Sequence, residues 1–147
     1  MRVRLTCLFG AMLALLLGAG GARASVIVAW DYNWTPASST IASDSSATTF
    51  LTLSNEPSGS AAGNSDVVAT NITTASDAAP GSPATFTSKA YTLAMTLIDT
   101  ASLTSGTLIF TGEFNGTISS KSSAIAHTFT GPLSQSITLG GNEYTVT

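Results

Sequence analysis

Apolar and polar residues alternate along several short segments of this chain, a pattern that favours half-buried β-strands. From Val26 to Trp34, every second residue is a valine or an aromatic residue. Two other runs, Tyr91 to Leu97 and Leu108 to Ile118, also alternate, and we expect them to form an antiparallel pair with one solvated face. The other candidate strands are Thr48–Ser54, Asp66–Thr73, Ala124–Thr130, Ser134–Leu139 and Tyr144–Thr147.

Residues that favour turns separate these segments. We expect Pro36 to end the first strand, because proline cannot donate to a strand ladder, and a loop to continue from there to Ser46. Loops are also predicted over 58–65, 77–83 and 99–106.

Glycines support two more specific predictions. Gly140 and Gly141 supply the positive φ angles that a tight hairpin turn requires, so the last two strands are predicted to pair. Asn115-Gly116 is either a turn of the same kind or part of a continuous strand. The alternation that persists to Ile118 favours the continuous strand.

The chain therefore contains about seven or eight predicted strands, with turn signals between them and no convincing helix. Threonine is frequent at the polar positions, where its branched side chain fits the pleated surface of a sheet. Together these features predict an all-β protein, an antiparallel β-sandwich of Ig-like or jelly-roll type.

The N-terminal residues have the three-part organisation of a secretory signal. Arg2 and Arg4 provide positive charge, Leu5–Leu17 is apolar, and Ala22-Arg23-Ala24 matches an A-x-A cleavage site. The apolar run is shorter than the roughly 20 residues of a spanning helix. We therefore expect a cleavable signal over residues 1–24, a single domain over residues 25–147, and no stable membrane span in the mature chain.

Removal of this signal changes the charge of the protein. Of the five basic residues only Lys89 and Lys121 remain, against eight carboxylates, so the net charge becomes about −6. Such a surface disfavours nucleic acid and anionic membranes as partners. Cys7, the single cysteine, lies within the signal, so the mature domain is expected to have no disulfide. The expected location is secreted or at the cell surface.

Trp30, Tyr32 and Trp34 share one face of the first predicted strand. Aromatic rings in this arrangement are either a platform for a sugar ring or part of the hydrophobic core, to which large aromatic residues contribute strongly. These three residues are the candidate ligand-binding residues of the chain.

Candidate catalytic groups are few. His127 is the single histidine, and no G-x-S-x-G nucleophile motif accompanies it. Asp31 and Glu113 lie on polar strand faces, where they are either a pair of glycosidase carboxylates or solvated surface groups. The solvated interpretation is favoured, and we assign no catalytic residue.

Metal and cofactor sites are equally sparse. Asn64, Asp66 and Asp99 lie in or beside loops and offer the oxygen ligands that calcium prefers, but without the spacing of a calcium-binding loop. One histidine and no mature cysteine argue against a structural zinc site. We therefore expect neither a metal nor a cofactor.

Three segments carry a resemblance to a known class of proteins. They are Leu53-Ser54-Asn55-Glu56-Pro57, the run from Gly63 to Asn71, and Phe129-Thr130-Gly131-Pro132. They resemble exported bacterial proteins of the PEP-CTERM sorting-domain class. The printed sequence does not contain that class's C-terminal Val-Pro-Glu-Pro element, so we expect a truncated or freely released form. The shared segments look structural, and the resemblance assigns no functional residue.

The leading functional hypothesis is a non-enzymatic exported protein with a structural or adhesive role at the cell exterior. Its expected partners are extracellular polysaccharide or other surface proteins. One alternative is a carbohydrate-binding module that uses the aromatic strand face, and another is a hydrolase that acts on an extracellular polymer.

Overall fold

The computed structural model describes residues 27–147, apart from the side chains of Glu56 and Pro57, and every regular element in that range is a β-strand. All of the strand pairs are antiparallel, which confirms the predicted all-β class. None of these residues forms a helix long and apolar enough to cross a membrane. The expected signal peptide lies outside the described residues. The strands are β1 Ala29–Pro36, β2 Thr40–Ala42, β3 Phe50–Ala62, β4 Thr70–Ala75, β5 Ala84–Asp99, β6 Ser105–Ile118, β7 Ser123–Phe129, β8 Gln135–Leu139 and β9 Asn142–Val146.

Seven of these strands form one sheet in the order β2-β3-β1-β5-β6-β7, and β4 pairs with the first half of β3. The long strands β5 and β6 pair with each other antiparallel, as their alternation predicted. In β5, Tyr91, Leu93, Met95 and Leu97 are buried on one face, while the threonines and alanines between them are half-buried on the other. The apolar face of this sheet holds the hydrophobic core.

The remaining two strands, β8 and β9, form a separate hairpin that packs against the same apolar face. Gly140 and Gly141 have φ angles of 58° and 87° and form the turn of the predicted hairpin. The turn has two residues, so β9 begins at Asn142, two residues before the predicted return strand. Leu139 and Tyr144 are buried in the core beside the turn. The contact with β6 is close, since a Cβ at Gly106 would lie 2.2 Å from Cδ1 of Ile137.

Several strand boundaries differ from the prediction. The strand predicted at Thr48–Ser54 is β3, which runs on to Ala62 because its second half pairs with β1 across a β-bulge. The predicted loop over 58–65 is therefore wrong for its first half. The small residues here show no alternation of apolar and polar side chains. They form a strand because their backbone pairs with β1. β2 lies within another predicted loop, and Val67 and Val68 lie outside β4.

The segment Asn115-Gly116 lies inside β6, so the interpretation as a continuous strand is confirmed. Gly116 has a φ angle of 139°, and a Cβ there would lie 2.0 Å from the backbone oxygen of Ala124 on β7. The chain passes through this point only because glycine has no side chain.

We expect Gly116→Ala to lower the free energy of unfolding by about 1–3 kcal/mol, because the new side chain forces a strained backbone conformation against β7. Urea denaturation measures this change. Gly81→Ala is the matched control, since nothing lies within 4 Å of a Cβ there. Equal stability of the two variants would contradict the prediction.

Candidate binding cleft

A cleft of about 1110 Å³ lies between the β8–β9 hairpin and the apolar face of the large sheet. This is slightly above the usual volume of small-molecule sites, which is about 300–1,000 Å³. Its floor is formed by core side chains of three neighbouring strands, because the sheet order places β1, β5 and β6 side by side. These side chains belong to Trp30, Trp34, Leu93, Met95, Leu97 and Phe110.

The walls of the cleft approach the floor from two sides. On the β1 side is the irregular segment Gly63–Ala69, which is tied to the floor by a 3.0 Å hydrogen bond from Trp30 Nε1 to the Gly63 backbone oxygen. On the β6 side is the hairpin, where Gln135 Nε2 donates to the Ile109 backbone oxygen at 2.6 Å. Strand β9 forms the cleft wall along its whole length.

Exposed apolar side chains border the cleft. Phe129 is 43% exposed and Leu133 is 63% exposed, and both line the opening, as does the exposed Ile27. An exposed apolar group that continues into a concave apolar floor is typical of a binding surface. The cleft therefore has both an apolar floor and an apolar rim.

Asp99 anchors the hairpin that forms one wall. Its side chain is fully buried, and its Oδ1 accepts hydrogen bonds from the backbone N–H groups of Ala101 and Ser102 at 2.9 and 2.8 Å. Its Oδ2 accepts from Asn142 Nδ2 and from the Tyr144 hydroxyl, both at 2.7 Å. One carboxylate thus joins the β5–β6 loop to the tip of the β8–β9 hairpin.

These hydrogen bonds change the acidity of both ionisable partners. The bond from Asn142, assisted by those from Ser102 and Tyr144, holds the pKa of Asp99 well below its usual value. Burial, together with the hydrogen bond to Asp99, raises the pKa of Tyr144 to about 12. The hairpin is therefore held by an ionised carboxylate and a neutral phenol.

Trp30, Tyr32 and Trp34 do lie on one face of β1, as predicted, and that face points into the core. Both indole rings are buried, while Tyr32 is half-buried and stacks at a tilt on Trp30 with ring centroids 5.5 Å apart. The strand therefore does not present three exposed rings. Trp30 and Trp34 contribute to the cleft floor instead, so the role of these residues in sugar binding stays a prediction.

Trp34 has an additional feature. Its ring packs on Phe110 with centroids 5.6 Å apart, and its Nε1 is a buried donor without a hydrogen-bond partner among the described residues. A buried unpaired donor costs about 1–3 kcal/mol. This N–H belongs to a side chain that lines the cleft.

Asp31 and Glu113 are not brought together. Along β5, Asp31 is opposite Ile98 and Glu113 is opposite Ala90, so the two residues are displaced by eight positions, roughly 26 Å, along the strand direction. Paired glycosidase carboxylates lie within about 10 Å of each other. Asp31 instead accepts a hydrogen bond from Ser60 at 2.6 Å.

His127 lies on β7 among aromatic rings. Its Nε2 is hydrogen-bonded to the Tyr91 hydroxyl, and its ring meets Phe129 edge-on with centroids 4.6 Å apart. Burial raises the pKa of the Tyr91 phenol. The side chain of His127 thus belongs to an aromatic cluster at the edge of the sheet.

The three residues that offer oxygen ligands for calcium do not converge on one site. Both carboxylate oxygens of Asp99 are occupied by N–H and O–H donors, while Asn64 and Asp66 lie on the opposite wall of the cleft. Within residues 27–147 no group of three or more histidine or acidic side chains could hold a metal ion.

Sequence reasoning missed the residues that shape the cleft. The sequence predicted Asn142 and Tyr144 only as part of the last hairpin and assigned no role to Leu133. Asn142 and Tyr144 follow Gly141 by one and three residues, a spacing that places both side chains on the same face of a hairpin strand. No periodic signal indicates that this face meets Asp99. No known protein family, curated protein or solved structure matches the chain.

Proposed function

We propose that this chain is an exported, non-enzymatic binding protein with an adhesive role at the cell exterior. The observation that carries the proposal is the open cleft of about 1110 Å³, whose apolar floor continues to the exposed side chains of Phe129 and Leu133. In the proposed arrangement the hairpin is part of the second layer of a β-sandwich of Ig-like or jelly-roll type. The cleft is the gap that this layer leaves.

The surface of the domain supports the choice of partner. Residues 25–147 contain eight acidic residues, of which Asp99 is buried, and two lysines, of which Lys89 is ion-paired with Asp44. Opposite charge steers association and suppresses wrong partners, so a partner with basic groups is favoured over an acidic one. We therefore propose other surface proteins as the adhesion partners.

A test uses two exposed leucines that differ in position. Leu133 lines the cleft, whereas Leu103, 81% exposed in the β5–β6 loop, does not line it. We expect Leu133→Asp to lower the retention of protein-coated microspheres on the producing cells about tenfold, because a charge at the rim must be desolvated on contact. Leu103→Asp should leave retention unchanged. Retention is counted under flow, after equal melting temperatures confirm that both variants fold.

Two results would contradict the proposal. One is equal retention of the Leu133 and Leu103 variants, which would place adhesion outside the cleft. The other is a hydrolytic activity on an extracellular polymer that is abolished by changing Asp31, Glu113 or His127.

A second candidate function is the binding of carbohydrate in the same cleft. It is favoured by Trp30 and Trp34 in the floor and by the polar side chains of Asn64 and Asn142 on the two walls. The chain has two tryptophans, so their fluorescence reports on this floor alone. Release of the microspheres by soluble xylan, with a shift in that fluorescence, would favour carbohydrate over a protein partner.

A further inference from the structure

Strand β9 has one paired and one open edge among the described residues. In the two-residue hairpin, Leu139 and Asn142 flank the turn, so Asn142, Tyr144 and Val146 exchange backbone hydrogen bonds with β8. The N–H and C=O groups of Glu143 and Thr145 therefore point away from β8. Both residues line the cleft. An open edge of this kind is a template for another strand.

The opposite wall has unpaired backbone as well. Residues 65–69 are not part of any strand, yet Val67 and Ala69 pack against the core. The cleft thus separates two stretches of backbone that lie above one apolar floor. An extended strand between them would place alternate side chains on that floor, as a sheet requires.

The floor beneath the cleft is apolar and closely packed. Trp34 is 5% exposed, and its ring packs on Phe110 with centroids 5.6 Å apart. An occupant therefore meets this floor through apolar side chains.

The charges at the cleft are acidic on both walls. Asp66 lies on the Gly63–Ala69 wall and Glu143 on β9, and both line the cleft. No lysine lines it. This arrangement favours an occupant that carries basic groups beside its apolar residues.

We propose that an extended segment of another polypeptide binds in this cleft as an additional strand along β9, with alternate apolar side chains on the Trp34 floor and basic side chains at its ends. This inference rests on the proposed adhesive function and specifies the chemistry of the segment through which the partner binds. The strand would pair through the outward backbone groups of Glu143 and Thr145, which is the β-augmentation mode of peptide recognition.

The probe for this proposal is a synthetic ten-residue peptide that alternates valine and threonine between terminal lysines. Its matched control has the same side chains but carries N-methyl groups on alternate backbone amides, which prevents strand pairing. We expect the first peptide to change the tryptophan fluorescence of the full chain saturably, and the N-methylated peptide to do so at least tenfold more weakly, because backbone hydrogen bonds supply the difference.

A variant at the open edge of β9 distinguishes backbone strand pairing from side-chain packing on the cleft floor. Thr145→Pro removes the outward N–H of Thr145 while leaving the backbone hydrogen bonds between β8 and β9 in place, since proline is tolerated on an open strand edge. Both this change and Thr145→Val remove the side-chain hydrogen bond to Ser136, so the pair differs in the backbone N–H. We expect about a tenfold loss of peptide affinity for Thr145→Pro. Thr145→Val, which keeps the N–H, should bind the peptide as the unchanged chain does. Equal melting temperatures of the two variants show that the hairpin remains folded.

Each other outcome overturns the inference. Equal binding of the two peptides would show an apolar cleft without strand pairing, and release of the peptide by soluble xylan would show a carbohydrate site. A dimer in light scattering that Thr145→Pro dissociates would identify a second copy as the occupant. If Leu133→Asp lowers adhesion but the peptide does not bind, the strand inference fails while the adhesive function stands.

Discussion

Replacing Asp99 with alanine is expected to release the β8–β9 hairpin from the sheet and to lower the melting temperature on the order of 10 °C. The carboxylate accepts four hydrogen bonds, two from its own loop and two from the hairpin. Without it, the side chains of Asn142 and Tyr144 lose their shared acceptor in a buried place. Buried donors that lose their partner carry the full cost of desolvation.

Thermal denaturation followed by circular dichroism measures the loss, and hydrogen exchange locates it. We expect the amides of β8 and β9 to lose protection well before those of β5 and β6, because the anchor joins only the hairpin tip to the sheet. Asp66→Ala is the control, since this carboxylate is exposed on the opposite wall of the cleft. An Asp99→Ala variant with unchanged hairpin protection would contradict the anchoring role.

The same anchor predicts how stability depends on pH. The pKa of Asp99 is lowered in the folded state, so its contribution is complete above the ordinary value of 3.8 and is lost as the pH falls toward the folded pKa. The pKa of Tyr144 is raised to about 12, so its contribution is present below the ordinary value of 10.0 and is lost as the pH rises toward 12. Asp99→Asn should flatten the decline of stability between pH 4 and pH 2, which unfolding in urea at each pH measures.

The role of Asp99 could not be predicted from the sequence. An aspartate between an apolar strand and a Thr/Ser-rich loop looks like a surface residue or a metal ligand. Its role comes from contacts with residues 43 and 45 positions away along the chain. Such contacts depend on how the hairpin lies on the sheet, and no local pattern encodes that. The cleft escaped prediction for the same reason.

More of the fold than of the cleft could be predicted from the sequence. Strands β5 and β6 were recognised because buried and solvated residues alternate along them, and the last hairpin because Gly140-Gly141 permits its turn. The second half of β3 was missed because Ser58 and Gly59 bury too little to alternate, although Gly59 lies against the ring of Tyr32. Alternation thus finds strands that carry the core, and it overlooks strands that serve mainly as partners for others.

Phe114→Ala is expected to be the most destabilising single truncation in the β5–β6–β7 region of the sheet. Phe114 is 1% exposed on β6, and its ring packs on Tyr91 with centroids 4.9 Å apart and on His127 at 5.7 Å. Removing a buried phenylalanine ring loses its transfer free energy and leaves a cavity, which together cost about 3–5 kcal/mol. Domains of this size unfold with about 5–15 kcal/mol, so the variant should retain little stability.

Phe129→Ala gives the matched comparison, because the same atoms are removed from a ring that is 43% exposed one strand away. We expect it to cost about 1 kcal/mol, since water already reaches much of that ring. The difference between the two variants, measured in urea, therefore isolates the contribution of burial in the β5–β6–β7 region. If both changes cost the same, the aromatic cluster is not part of the cooperative core, and the sheet must be held by the β1–β5 pairing and the hairpin instead.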